Sequence, residues 1–355
     1  MKIAFLLIGK LNYGGGAEKW VKDVATYLLS KGHEVSIYVP YDKRIDSYEG
    51  VLKEKEIRIR LYSFFKAVGI WNLYPPFFLP KLREYFDVIY VTSMNPFLFF
   101  ALYRNRVISG THDAFVSDNG FSIDSLRNVI LLIYRLSIFN HLAFHTFSPY
   151  FSDKLRPTGK RIYEIPNYAD VPTKELSMAK TFQILFLGRV ERRKGSDLLF
   201  ELCEKLKHLP EVEFYIAGKI NNKYKSKANE LNRYKNIKFL GFITEENKGE
   251  LLSTASLFLF LSKRDTFPFT LLEALSHGIP VISTWKPAAQ ILGSGWVETV
   301  DKDVDVLILN IMKKYDVWKK SKDEYHKIRK EIMEDTQKRY NKEKIMQDIE
   351  RMFGV

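Results

Sequence analysis

The 355-residue chain has a single cysteine, Cys203, which excludes an intrachain disulfide and a cysteine metal cluster. Cys203 falls in an apolar helical pattern and reads as core. No apolar run reaches the roughly 18 residues that span a bilayer. The longest candidate, 129–144, is broken by Arg135, Asn140 and His141. The first eight residues carry one lysine and lead into a glycine-rich loop rather than a cleavage site, so no secretory signal is read there. The expectation is a cytoplasmic protein, with peripheral contact to the cytoplasmic face of a membrane. There is no block of like charge. The net charge of +13 is spread over both halves, and no nucleic-acid-binding signature accompanies it. Anionic head groups and phosphorylated substrates fit that charge as well, and no nucleic-acid partner is expected. A DxD is present at Asp303-Val304-Asp305. It opens a helical segment, where aspartate caps, so it is read as a cap and no metal is expected.

What is present is centred on 257–284, LFLFLSKRDTFPFTLLEALSHGIPVIST. The run 257–261 is continuously apolar, as in a parallel strand buried on both faces. Pro268 suits the first turn of a helix. Leu271, Leu272 and Leu275 give that helix one apolar face. Gly278 and Pro280 stop it, and 281–283 re-enters a sheet. Asp265 then lies beyond the carboxyl end of a strand, where open α/β sheets bind ligands. Glu273 lies about two turns into the helix. A helix N-terminus flanked by acids that grip hydroxyls suits a phosphorylated sugar. On spacing alone, an ordinary βαβ unit with solvated acids fits equally well.

The remaining chain reads as two α/β halves. Residues 2–8, a loop ending in Gly14-Gly15-Gly16, a helix over 17–29 and a strand over 34–39 make a βαβ opening. Its glycines do not have the dinucleotide spacing. Residues 58–83 interleave arginine and lysine with aromatics, which fits either core or a membrane-facing surface. His112-Asp113 follows a strand directly, a position for either a catalytic loop or a satisfied buried histidine. Residues 122–139 read as a helix. A polar linker, 168–181, ends the first half. The second opens with a strand over 183–187 and a loop carrying Arg189, Lys194 and Gly195. Two cations above a helix N-terminus can neutralise a diphosphate. After Trp296 the chain reads as helix, and 301–355 as a mostly solvated, charged helical tail.

Several of these positions occur in one known pattern. Asp265, seven residues, Glu273, Ala274, Gly278, Pro280 and Val281 resemble the signature of retaining, family 4-type glycosyltransferases (glycosyl transferases group 1) with a GT-B fold. Arg189, four residues, Lys194, Gly195 resembles the same family's phosphate-binding loop. Gly15, Gly16 and Glu18 are similar to its Gly-Gly-x-Glu-like loop. Pro166-Asn167-Tyr168-Ala169-Asp170 resembles its Pro-Asn-Gly-x-Asp ending of the first domain, with Tyr168 in place of glycine. Asp265 stands where the family usually has glutamate.

The resemblance implies an α/β fold with two Rossmann-like doubly wound domains facing across a cleft. Residues 1–170 would bind acceptor, 171–335 the nucleotide sugar, and 336–355 would be a helix crossing back onto the first domain. It implies transfer of a hexose from a nucleoside-diphosphate sugar to a glycan or lipid-linked saccharide, with retention and without metal or other cofactor. Arg189, Lys194, Gly15 and Gly16 would border the diphosphate and Glu273 the ribose. Asp265, Phe269, Thr270 and Leu271 would hold the donor sugar, and His112 and Asp265 would be catalytic. The alternatives are a sucrose- or trehalose-type synthase and a non-catalytic sugar-nucleotide-binding scaffold.

Overall fold

The computed structural model describes residues 1–7, 15–40, 58–62, 86–92, 106–112, 134–136, 140–172, 174–292 and 295–354. Most of the expected helix at 122–139, all but 134–136, and the basic-aromatic stretch at 63–83 lie outside these residues. Chain contacts divide the molecule into two units, Met1–Asn167 with Glu343–Val355, and Tyr168–Lys342.

The first unit is built on a parallel sheet of order β3-β2-β1-β4-β5-β6-β7. The strands are β1 (Lys2–Leu6), β2 (Glu34–Pro40), β3 (Arg58–Tyr62), β4 (Val88–Val91), β5 (Arg106–Gly110), β6 (Leu142–Thr146) and β7 (Arg161–Glu164). Strands β4 and β6 are buried at every position, because helices cover both faces of a parallel sheet. Helix α1 (Gly16–Ser30) buries Trp20, Val21, Val24, Ala25 and Leu28 on one stripe. Helix α2 (Pro149–Leu155) starts with proline at its first position.

The second unit repeats the plan with order β10-β9-β8-β11-β12-β13. Its strands are β8 (Phe182–Leu187), β9 (Val212–Ala217), β10 (Ile237–Gly241), β11 (Leu257–Phe260), β12 (Val281–Ser283) and β13 (Val297–Thr299). Helices α3 (Ser196–Leu206), α4 (Lys225–Leu231), α5 (Glu245–Thr254), α6 (Phe269–Ser276) and α7 (Pro287–Leu292) connect them. In both sheets the chain leaves the first strand to one side and later returns to its other side. The order therefore reverses between β1 and β4, and again between β8 and β11. Loops diverge at such a reversal and open a crevice at the carboxyl ends of the strands.

The C-terminal region differs from the sequence reading. Three residues after Trp296 form edge strand β13, too short to announce itself by alternation. Nor is 301–355 a solvated tail. Helix α8 (Val304–Lys320) buries Leu307, Ile311, Tyr315 and Trp318 in the second core, and α9 (Lys322–Arg339) buries Tyr325, Arg329 and Ile332. Their apolar residues are few but recur at helical spacing, so a charged composition conceals a packed face. The segment returning to the first unit starts at Glu343, not 336, because α9 stays anchored to the second unit to its end. Gln337 donates to the Asp170 carbonyl and Lys342 pairs with the Asp170 carboxylate at 2.7 Å. Helix α10 (Lys342–Phe353) buries Ile345, Met346, Ile349, Met352 and Phe353. Arg106 ends it by donating to the carbonyls of Met352 and Phe353 at 2.7 and 2.9 Å, a cation at a helix C-terminus. Among the described residues no helix is long and apolar enough to cross a membrane.

Candidate functional site

In the second unit the two loops at the strand reversal are stitched together. After β8, Gly188 leads to Arg189, a short turn covers Arg192–Lys194, and Gly195 starts α3 with φ +80°. A Cβ on Gly195 would overlap the carbonyl oxygen of Leu261, so only glycine lets the loop lie against the end of β11. Lys263 N–H donates to the Arg193 carbonyl at 2.9 Å. The Lys194 ammonium then meets the Asp265 carboxylate at 2.7 Å, with both side chains about four-fifths buried. The other Asp265 oxygen accepts from the Thr266 amide at 3.0 Å. Arg189 is more open, about half exposed, and lies 3.3 Å from Glu191.

Helix α6 starts one residue later than expected. Pro268 is its N-cap in extended conformation, Phe269, Thr270 and Leu271 form its first turn, and no side chain caps it. Glu273 consequently sits in the second turn. One of its oxygens holds Lys248 of α5 at 2.9 Å, and Lys248 also pairs with Glu245 at 2.6 Å. Burial works to lower the Lys248 pKa, but the two glutamates outweigh it and hold the group above its ordinary value. Tyr168, the residue in place of the family glycine, is fully buried and packs edge-on against Phe269 at 5.4 Å. The extra ring ties the interdomain linker to the start of α6. The sugar-signature positions Asp265, Phe269, Thr270 and Leu271, together with Lys194, thus border one reversal point, with Glu273 one turn further along α6.

Arg329 holds this arrangement from behind. Its side chain is fully buried and has no acid partner among the described residues. It donates to the carbonyls of Ser177, Leu252, Ser253 and His277 at 3.0–3.4 Å. Those carbonyls include the buried last turn of α5 and the C-cap of α6, so one guanidinium caps the helices that carry Lys248 and Glu273. Burial brings its pKa down to about 10, which leaves it charged at neutral pH.

The first unit has its own cluster at the reversal between β1 and β4. Gly15 is the N-cap of α1 and Gly16 its first residue. Glu18, three positions on, folds back over Gly15, the geometry of a capping acid. Trp20 stacks on Tyr90 of β4, with ring centroids 4.7 Å apart, and meets the His112 ring edge-on at 5.0 Å. The Tyr90 hydroxyl bonds His112 Nε2 at 2.9 Å and His145 Nδ1 at 2.7 Å. His145 Nε2 reaches the Ile165 carbonyl at 2.9 Å. A Cβ on Gly110 would overlap the Tyr90 hydroxyl, so glycine clears the space for this chain of bonds. Burial, with a smaller contribution from His145, holds the His112 pKa well below the usual imidazole value. Burial takes His145 down to about 4, against the opposing pull of the Ile165 carbonyl.

Sequence reasoning had no signal for Lys248, one charge among several on α5. Tyr90 and His145 did leave a trace. Each is a polar group inside an otherwise apolar parallel strand, where burial demands a partner. The DxD reading holds in detail: Asp303 caps α8 by accepting from the amides of Asp305 and Val306 at 2.9 and 3.0 Å. No group of three or more acids, histidines or cysteines able to hold a metal occurs among the described residues.

Comparison with known proteins follows the same division. The family model described as "Glycosyl transferases group 1" matches residues 170–290, and "Glycosyltransferase Family 4" matches residues 14–171. The chain is 29% identical over 177 residues to alpha-galactosylglucosyldiacylglycerol synthase of Streptococcus pneumoniae, a match spanning 42% of this chain and 46% of that relative. The chain thus spans about half the length of that curated relative. It is 23% identical over 310 residues to phosphatidyl-myo-inositol mannosyltransferase of Mycolicibacterium smegmatis, covering 80% of this chain and 76% of that one. Among solved structures, Anabaena HepE, in complex with UDP and glucose, superposes with a TM-score of 0.75 at 19% identity, over 100% of this chain and 99% of that one. The fold is that of the GT-B glycosyltransferases.

Proposed function

Since the chain belongs to the group 1 glycosyl transferases, acting with a nucleotide-sugar donor, we propose that it moves a hexose to a lipid-linked saccharide or other glycan, with retention at the anomeric carbon and without metal. The observation that carries this reading is the convergence of Lys194, Asp265 and the uncapped start of α6 at the reversal between β8 and β11. A diphosphate there meets fixed positive charge. A Lys ammonium has three donors, so Lys194 can keep Asp265 and add a phosphate oxygen. Arg189, half exposed beside the same loop, supplies the second cation. The N-terminus of α6 adds its dipole to the developing charge on the leaving group. Glu273 shares its carboxylate between Lys248 and the ribose hydroxyls. Asp265 and the backbone of Phe269, Thr270 and Leu271 hold the sugar, while His112 and the Gly15-Gly16 turn act from the first unit.

Retention without an enzyme-bound sugar requires attack from the face the diphosphate leaves. The leaving oxygens then need stabilisation by fixed cations rather than by a second carboxylate. The lipid acceptor is favoured by the two relatives, whose names place a diacylglycerol glycoside and a phosphatidylinositol among their substrates or products. The spread charge of +13 suits approach to an anionic membrane.

Slow hydrolysis of a panel of nucleotide sugars identifies the donor, and mass spectrometry of lipid extracts incubated with that donor identifies the acceptor. Turnover is expected to persist in excess EDTA. Binding without turnover would make the chain a scaffold. Transfer only to free small sugars would replace the lipid acceptor by a synthase-type reaction. Activity lost in EDTA and restored by Mn²⁺ or Mg²⁺ would overturn the metal-free reading.

A further inference from the structure

The bonds around Tyr90 have a fixed direction. The Ile165 carbonyl can only accept, so His145 Nε2 carries a proton. A neutral His145 then presents Nδ1 as an acceptor, and the Tyr90 hydroxyl must donate to it. Having used its one proton, the Tyr90 oxygen can only accept from His112, whose Nε2 must therefore be the protonated nitrogen. The order runs His112 to Tyr90 to His145 to backbone, and it leaves the His112 Nδ1 lone pair without a partner among the described residues. His145 is fully buried and Tyr90 fully buried, whereas His112 is half-buried at the mouth of the cluster. Trp20, Phe147 and Tyr90 pack around the His112 ring at centroid distances of 5.0, 4.8 and 5.8 Å, which fixes its plane.

We propose that Tyr90 and His145 are positioning residues which lock His112 in the Nε2–H tautomer, so that Nδ1 accepts a hydrogen bond from a hydroxyl of the transferred sugar. This rests on the reading that His112 meets that sugar. A neutral acceptor pairs with a hydroxyl and repels a phosphate oxygen, so its chemistry suits a sugar and not a diphosphate. Gly110 and Trp20 belong to the same device. One makes room for the tyrosine hydroxyl, and the other holds the tyrosine ring by stacking.

The full chain with ¹⁵N-labelled histidine tests this directly. Long-range proton–nitrogen correlations distinguish the two neutral tautomers and the imidazolium, and a His112→Gln sample identifies the resonance. His112 and His145 are both expected as Nε2–H at neutral pH. Tyr90→Phe keeps the stacked ring but removes the relay, and His112 should then populate both tautomers. The same variant should lower kcat roughly tenfold, the worth of one neutral hydrogen bond, with unchanged affinity for nucleoside diphosphate. A mono-deoxy donor lacking the contacted hydroxyl should erase the difference between the parent and Tyr90→Phe. Finding His112 as Nδ1–H or as imidazolium overturns the tautomer lock. Finding Nε2–H, but parental transfer rates in both Tyr90→Phe and His112→Ala, overturns the sugar contact while the lock stands.

Discussion

The two units share a strand order and place their candidate site residues at the same point in it, yet they gather opposite chemistry there. The second unit assembles opposite charges: Lys194 with Asp265, Lys248 with Glu273, and Arg189 with Glu191. The first assembles neutral rings and a directed chain of hydrogen bonds. A dianionic diphosphate needs preorganised charge, and ion pairs within the protein keep that charge in place before a ligand arrives. A sugar hydroxyl needs an oriented acceptor in a dry wall, and a charge there would attract the wrong group. The fold supplies a crevice, and the residues at its lip decide what it holds.

The contrast predicts where each unit is fragile. The largest expected effect belongs to Arg329→Met. Three buried carbonyls would lose their donor, each at roughly 1–3 kcal/mol, and the more exposed Ser177 carbonyl would lose less. Hydrogen exchange should show amides of β8–β12 losing protection by several kcal/mol, and those of β4–β6 by much less. Equal losses in both would mean that the units unfold as one, and the comparison of separate sites would fail for stability.

A pH test acts on the other unit. His145 titrates near 4 when folded and near 6.5 when unfolded. Above about pH 6.5 neither state is protonated and the full stability is present. As pH falls toward 4 the unfolded chain takes up a proton that the native chain refuses, so stability is lost, by about 3 kcal/mol in all. His112, lowered in the same direction, adds to this. Protection in β4–β6 should decline between pH 7 and 4.5 after correction for intrinsic exchange, and His145→Gln should flatten the decline. The second unit has His277 lowered by burial, against the pull of the Glu273 carbonyl, and should respond less. A steeper decline in β8–β12 would reverse the assignment.

The third test concerns affinity. Lys194→Ala should weaken nucleoside diphosphate binding by roughly 1.5–3 kcal/mol. Arg189→Ala should fall below that range, because half its side chain is in water. Both losses should shrink in high salt, whereas His112→Ala should leave this affinity unchanged while slowing transfer. Calorimetry in which both the Lys194 and the Arg189 variants match the parent would remove the charged site from the second unit.

Much of this was legible in residue order. Largely apolar runs located β1, β2, β8, β11 and β12, because a parallel strand covered on both faces has few positions open to water. The spacing of Arg189, Lys194, Asp265 and Glu273 put charge on loops and helix starts, because βαβ connections fix which strand end a loop occupies. The sequence by itself therefore determined a twofold α/β chain with acids and cations at strand ends. Tertiary structure alone decided their partners. Lys248 reaches Glu273 because the ends of α5 and α6 are gathered on Arg329, and nothing in local spacing records that neighbour. Tyr90 and His145 meet His112 because β4, β5 and β6 are adjacent and in register, with Gly110 opposite His145. Burial then sets the protonation of both histidines, and burial is a property of the packed sheet rather than of any segment within it.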